Sequence, residues 1–96
     1  MQLYIFARFR GKPGSENAVE AALREAVPPT RDEPGCIGIN TFRSTKDARL
    51  FYLHSRWVDE AAFDVHVTLP HTVRFIETVQ DLIEHELNIT RTNLIE

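Results

Sequence analysis

The chain has 96 residues, 43% of them hydrophobic and 26% charged, with a formal net charge of −3 and a single cysteine. That length supports one core, so a single domain over residues 1–96 is expected, and folding at this size buries about 65% of the unfolded surface, leaving little room for a deep private cavity. The acidic balance excludes a nucleic-acid footprint, which needs a basic face.

Cys36 has no disulfide partner and no CxxC zinc pairing, which fits a reducing compartment. No stretch approaches the roughly 20 apolar residues of a membrane span. The opening MQLYIFARFRGK carries neither a basic leader nor a small-residue cleavage site. A cytoplasmic location with no membrane partner is the expectation.

Residues 3–10, LYIFARFR, alternate as a strand, with Leu3, Ile5, Ala7 and Phe9 on one face and Tyr4, Phe6, Arg8 and Arg10 on the other. GKPGSE then turns, with Ser15 as N-cap for a helix carrying Ala18, Val19, Ala22, Leu23 and Ala26 at three- and four-residue spacing. Pro28-Pro29 is expected to end it. The EPG turn at 33–35 opens a second strand, CIGINTFRS, with Ile37, Ile39, Thr41 and Arg43 on one face. After a short connection at Lys46-Asp47, RLFYLHSRW forms a third strand, with Phe51, Leu53, Ser55 and Trp57 on one face. Asp59 caps a helical region that breaks, restarts at Pro70 and runs to about His85. LNITRTNLI, 87–95, supplies a fourth strand.

The order βαββαβ with right-handed crossovers defines an α+β, ferredoxin-like arrangement: a four-stranded antiparallel sheet with its helices on one face. Leu50, Tyr52, Tyr4 and Phe6 load the opposite face with apolar groups, too many to leave in water. A homodimer packed through that sheet face is expected.

FDVHVTLPHTVRF (63–75) carries His66 and His71 on what reads as the apolar side. Helical spacing groups Ala62, Phe63, His66 and Val67, and then His71, Phe75, Val79 and Leu82. Both rings are therefore expected to face the sheet near Leu53, Ser55 and Trp57. Imidazoles, a hydroxyl and an indole in an apolar cleft have the composition of a small-molecule pocket. The plainer alternative is a pair of satisfied core or rim histidines, with Trp57 a core plug. An i, i+5 pair does not aim both rings at one ion, and no acid or cysteine lies beside them in phase, so no metal site is expected. Ser55 has neither a nucleophile elbow nor an evident orienting acid. His54 is placed on the dimer side and His85 at an exposed helix end.

Val27 followed by PPTRDEPGC, then LFYLHSRW, then DEAAFDVHVTLPH resembles the antibiotic biosynthesis monooxygenase family over nearly the whole chain. The resemblance implies a dimeric α/β barrel and oxidation of phenolic or quinol-type substrates with O2 as co-substrate and no flavin, haem or metal. A histidine, with an ordinary pKa of about 6.5, suits the deprotonation this chemistry needs. Departures from the family accompany it. Ser55 stands where members often carry glutamate, Leu53 where one polyketide oxygenase has asparagine, and Phe63 where that enzyme has tyrosine. Ala7 and His66 replace the asparagine and tryptophan of the haem-degrading branch. A branch acting on a phosphorylated sugar offers Arg43 or Arg8 as anion contacts.

These features place His66 and His71 as candidate catalytic residues, and Trp57, Ser55, Phe63, Arg43, Leu53 and Phe75 as substrate-binding residues. The leading expectation is a cofactor-independent monooxygenase or related oxidoreductase acting on a small aromatic or quinol. Its rivals are a proton-shuttling isomerase on the same scaffold and a non-catalytic binder of a hydrophobic metabolite.

Overall fold

A computed structural model describes every residue from Met1 to Glu96. The elements follow in the order β1 (Leu3–Arg10), α1 (Glu16–Arg31), β2 (Cys36–Arg43), β3 (Leu50–Trp57), α2 (Glu60–His66), α3 (Pro70–Gln80) and β4 (Asn88–Thr92). The strands form one antiparallel sheet in the order β2-β3-β1-β4, the ferredoxin-like arrangement, with the second helical region split in two. No helix is long and apolar enough to cross a membrane.

The alternation in β1 holds. Leu3, Ile5, Ala7 and Phe9 are buried under the helices, and their partners Trp57, Ser55, Leu53 and Phe51 on β3 share that inner face. Two core clusters result. One gathers Phe9, Val19, Leu23, Phe51 and Ile83, the other Leu3, Ile5, Trp57 and Phe63, and Leu53 packs against both. The outer face keeps Phe6, Phe42 and Tyr52 exposed.

Three expectations about elements need correction. Helix α1 does not stop at Pro28-Pro29 but continues to Arg31. The prolines remove two amide donors, and the carbonyls they would have served belong to the exposed residues Arg24 and Glu25, which water can reach. Burial of Val27 and Thr30 holds the last turn, the Thr30 hydroxyl donates to Ala26 O at 2.9 Å, and Arg31 donates to Ile39 O at 3.1 Å on β2.

Ile37 does not share the inner face. A bulge between Cys36 and Gly38 shifts the register, so Cys36 opposes Trp57 while Ile37 is exposed. Finally, α3 ends at Gln80, and the chain re-pairs as a bridge of Ile83 to Gly11, leaving His85 exposed beyond the helix.

Candidate functional site

The segment PTRDEPGC is built to fix one carboxylate. Glu33 and Cys36 close a β-turn with Pro34 at its second position, the amide of Cys36 donating to Glu33 O at 3.0 Å. The turn lies hard against α2: a β-carbon added at Gly35 would sit 2.3 Å from Ala62 Cβ, so only glycine permits this approach. Helix α2 is itself started by Asp59, whose side chain accepts from the Ala62 amide at 2.8 Å. Turn and helix thereby meet with Glu33 facing His66.

Both histidines converge on that carboxylate. His66 Nδ1 and His71 Nε2 each donate to Glu33 Oε2 at 2.7 Å. The Glu33 side chain is only 9% exposed, so the shared carboxylate is largely shielded from bulk water. Thr72 Oγ1, buried at the start of α3, lies 3.2 Å from His66 Nδ1 and acts as the weaker second acceptor. With its proton on Nδ1, His66 carries its lone pair on Nε2.

The sequence reading missed Glu33 and misjudged the pair of rings. No continuous helix spans residues 66 to 71. The break at Val67–Leu69 resets the helical phase and brings the two ring centroids within 6.0 Å. His71 therefore approaches Glu33 from the outside, facing a groove with Glu25, Pro29 and Arg74, and it does not face the sheet. The orienting acid was present in the EPG motif, but only its turn geometry was read.

His66, Glu33 and His71 are also the residues that could hold a metal ion, their ligand atoms all lying within 4.8 Å of one another. Ligands around a tetrahedral zinc at its usual bond lengths stand about 3.3 Å apart. The 2.7 Å separations here are hydrogen-bond lengths. The geometry is that of two N–H groups on one carboxylate oxygen, and it overturns the expectation that no acid lies beside the two rings.

His66 also lines an apolar cavity of about 60 Å³ between the sheet and the helices. Leu53, Phe63, Phe75 and Ser55 line it as expected, with Ile39, Ile76 and Ile89 among the other apolar walls. Ile89 on the edge strand β4 is 38% exposed, so the cavity meets solvent at that margin. Burial is the main influence on His66, pushing its pKa below 6.5; the bond to Glu33 and that carboxylate's charge oppose the shift, and the nearby His71 reinforces it.

Two expected binding residues lie elsewhere. Trp57 is 0% exposed and does not line the cavity. It plugs the core beneath α2, edge-on to Phe63 at 5.5 Å and tilted against His66 at 4.6 Å, with Nε1 donating to Ser55 Oγ at 2.9 Å. The plainer reading of Trp57 is the right one. Arg43 is committed to Ala48 O and Glu20 Oε1, at 2.6 and 3.0 Å, and lies over the Phe51 ring, away from the cavity.

A larger hollow, of about 630 Å³, lies on the outer sheet face among Phe6, Phe42, Tyr52 and His54. Its one histidine has no carboxylate partner: His54 stacks on Phe6 and donates from Nδ1 to the backbone oxygen of Ile5 at 3.0 Å. Size alone favours this hollow, but the carboxylate-held histidine, His66, lines the smaller cavity, which is the better candidate for chemistry.

A ferredoxin-like fold enclosing a small apolar cavity, with one carboxylate-oriented histidine on its wall, defines a class of small-molecule domain. The profile of the antibiotic biosynthesis monooxygenase family matches residues 2–78, and the chain belongs to that family. It is similar to "Putative monooxygenase Rv0793" of Mycobacterium tuberculosis, 29% identical over 90% of this chain and 84% of that protein. The structure of Rv0793 superposes with a TM-score of 0.94 at 25% identity, covering 100% of this chain and 97% of that one. PA3566 from Pseudomonas aeruginosa superposes with a TM-score of 0.91 at 29% identity, over 99% and 95% of the two chains. An uncharacterised Synechocystis protein, sll1783, is 26% identical over 84% of this chain, which spans 55% of that protein's length.

Proposed function

We propose that the chain is a monooxygenase acting on a small phenol or quinol, with His66 taking the phenolic proton. The observation that carries this reading is His66 itself: a cavity-lining imidazole whose Nδ1–H is held at 2.7 Å by a buried carboxylate, leaving Nε2 as the acceptor. Burial keeps the ring neutral near pH 7, the state a base requires. The second imidazole on Glu33 Oε2 braces the carboxylate against rotation.

A phenolate is electron-rich enough to pass an electron to O2. For a phenol with hydrogen at the para carbon, overall conversion with O2 yields a quinone and water. One oxygen atom enters the ring and the other leaves with two hydrogens from the substrate. The substrate supplies all the electrons, so neither the protein nor a separate reductant has to provide them. The protein's part is to hold the ring, take the proton and exclude water.

The cavity volume sets a condition. A cavity of about 150 Å³ accepts benzene, and this one is about 60 Å³. In this conformation it has room for O2 or a few waters. An aromatic ring has to widen it at the β4 margin, where Ile89 is already exposed and Arg91 bridges to Asp64 of α2 at 2.8 Å.

Oxygen consumption during incubation with a panel of benzene- and naphthalene-hydroquinones tests the proposal. Uptake of one O2 per hydroxyquinone formed, with one atom of labelled O2 in the product, supports it, whereas quinone formed with hydrogen peroxide and no incorporated label is simple dehydrogenation and refutes it. Substrate rearrangement without oxygen uptake would instead favour the isomerase, and binding without turnover the metabolite carrier.

A further inference from the structure

We infer that Ser55 is the cavity's oxygen-recognising donor, its hydroxyl turned by Trp57 to hold the phenolic oxygen whose proton His66 takes. This deepens the phenol reading and rests on it.

The argument begins with an asymmetry of donors. An indole N–H can only donate, so in the 2.9 Å bond between Trp57 Nε1 and Ser55 Oγ the serine oxygen is the acceptor. The serine proton must therefore point to a different partner. The Ser55 side chain makes no other hydrogen bond in the protein, is 2% exposed and lines the cavity. A buried donor with no acceptor is unfavourable in apolar surroundings, and a ligand oxygen relieves it.

The other hydroxyls on the wall are less constrained towards a ligand. Thr30 donates to Ala26 O and Thr72 is engaged with His66. Thr41 has no neighbour that fixes where its proton points. Thr72, accepting the shared His66 Nδ1–H, has a free proton as well, but only Ser55 is held by a partner that can do nothing but donate.

Trp57 also packs against His66, with 4.6 Å between ring centroids, so one indole backs both the serine donor and the imidazole acceptor. A single phenol oxygen can serve both groups, giving its proton to His66 Nε2 and accepting that of Ser55. Once the proton has moved, the bond from Ser55 becomes charge-assisted and strengthens. The pair thus favours the phenolate, and it selects a hydroxylated ring over a hydrocarbon of the same size.

The test compares phenol with its near-isostere toluene, by calorimetry or NMR titration, in the wild type and in Ser55→Ala. The expected result is about tenfold tighter binding of phenol than of toluene by the wild type, the scale of one well-met hydrogen bond. Ser55→Ala should lose most of that preference while binding toluene as before, which also shows that the cavity is intact. Equal affinities in the wild type, no phenol binding, or an unchanged preference in Ser55→Ala would overturn the inference. Discrimination that depends on Ser55 in a protein that consumes no oxygen with any hydroquinone would uphold the donor and refute the monooxygenase reading.

Discussion

Replacing Gly35 by alanine should damage the site from a distance, and the structure sets the scale. The new β-carbon would lie 2.3 Å from Ala62 Cβ, and 3.5 Å from both Ala62 Cα and Val58 Cγ2. Carbon atoms pack best at about 3.5–4.0 Å, so the closest contact is short by roughly 1.2 Å. Ala62 has no rotamer with which to escape, so the EPG turn or helix α2 must move. Overpacking of this kind costs about 1–3 kcal/mol, and removing a glycine from the unfolded chain offsets about 0.4–1 kcal/mol.

A net loss of about 1.3 kcal/mol follows, which lowers the melting temperature by roughly 5–10 °C in a domain of this size. Thermal melts of Gly35→Ala, Ala62→Gly and the double variant measure it. Ala62→Gly alone should cost about 1 kcal/mol through helix propensity. The double variant should be no less stable than Ala62→Gly, a coupling of at least about 1.3 kcal/mol. Additive effects, or a Gly35→Ala variant within about 0.5 kcal/mol of wild type, would show that the turn does not rest on α2 as described. Because Glu33 stands two residues from the clash, the same variant should loosen its bond to His66.

Stability should also fall with acid in a way that depends on His66. Burial holds its folded pKa below the ordinary 6.5, so between those two values the unfolded chain binds more protons. The stabilisation is complete above pH 6.5 and is lost as pH falls through the folded pKa; denaturant titrations of His66→Gln should lack this component. The exposed outer-face residues Phe6, Phe42 and Tyr52 lead us to propose a homodimer through that face. Tyr52→Lys should then sediment as a monomer, and a wild type that sediments cleanly at 11.1 kDa at micromolar concentration would refute the dimer. Cys36 should alkylate slowly, because burial and then the Glu33 charge raise its thiol pKa. Cys36→Ser should keep turnover within about twofold, and a larger loss in folded protein would reopen a nucleophilic role.

What the sequence disclosed depended on the range of the interaction. Alternation in LYIFARFR and LFYLHSRW is local, and it placed every inward residue of β1 and β3. The N-cap at Asp59 and the restart at Pro70 are local as well, and both hold. The bulge at Cys36–Gly38 depends on pairing with β3, so strict alternation misplaced Ile37. Pro28-Pro29 read as a stop because propensity omits the burial of Val27 and Thr30. His66 was legible as a cavity residue, but Glu33 lies 33 residues away and reaches it only through the turn. Trp57 was correctly placed on the inner face. Its depth beneath α2 is a matter of packing, which periodicity does not report.

The central claim, that His66 held by Glu33 is the proton acceptor, is tested most directly by comparing oxygen-consuming turnover of one hydroquinone substrate by wild type and His66→Gln. Circular dichroism and melting would confirm that the variant is folded. The expected result is a loss of about 10²–10⁴-fold in kcat, the usual contribution of a positioned base. Turnover by folded His66→Gln at the wild-type rate would contradict the account and return His66 to a structural role.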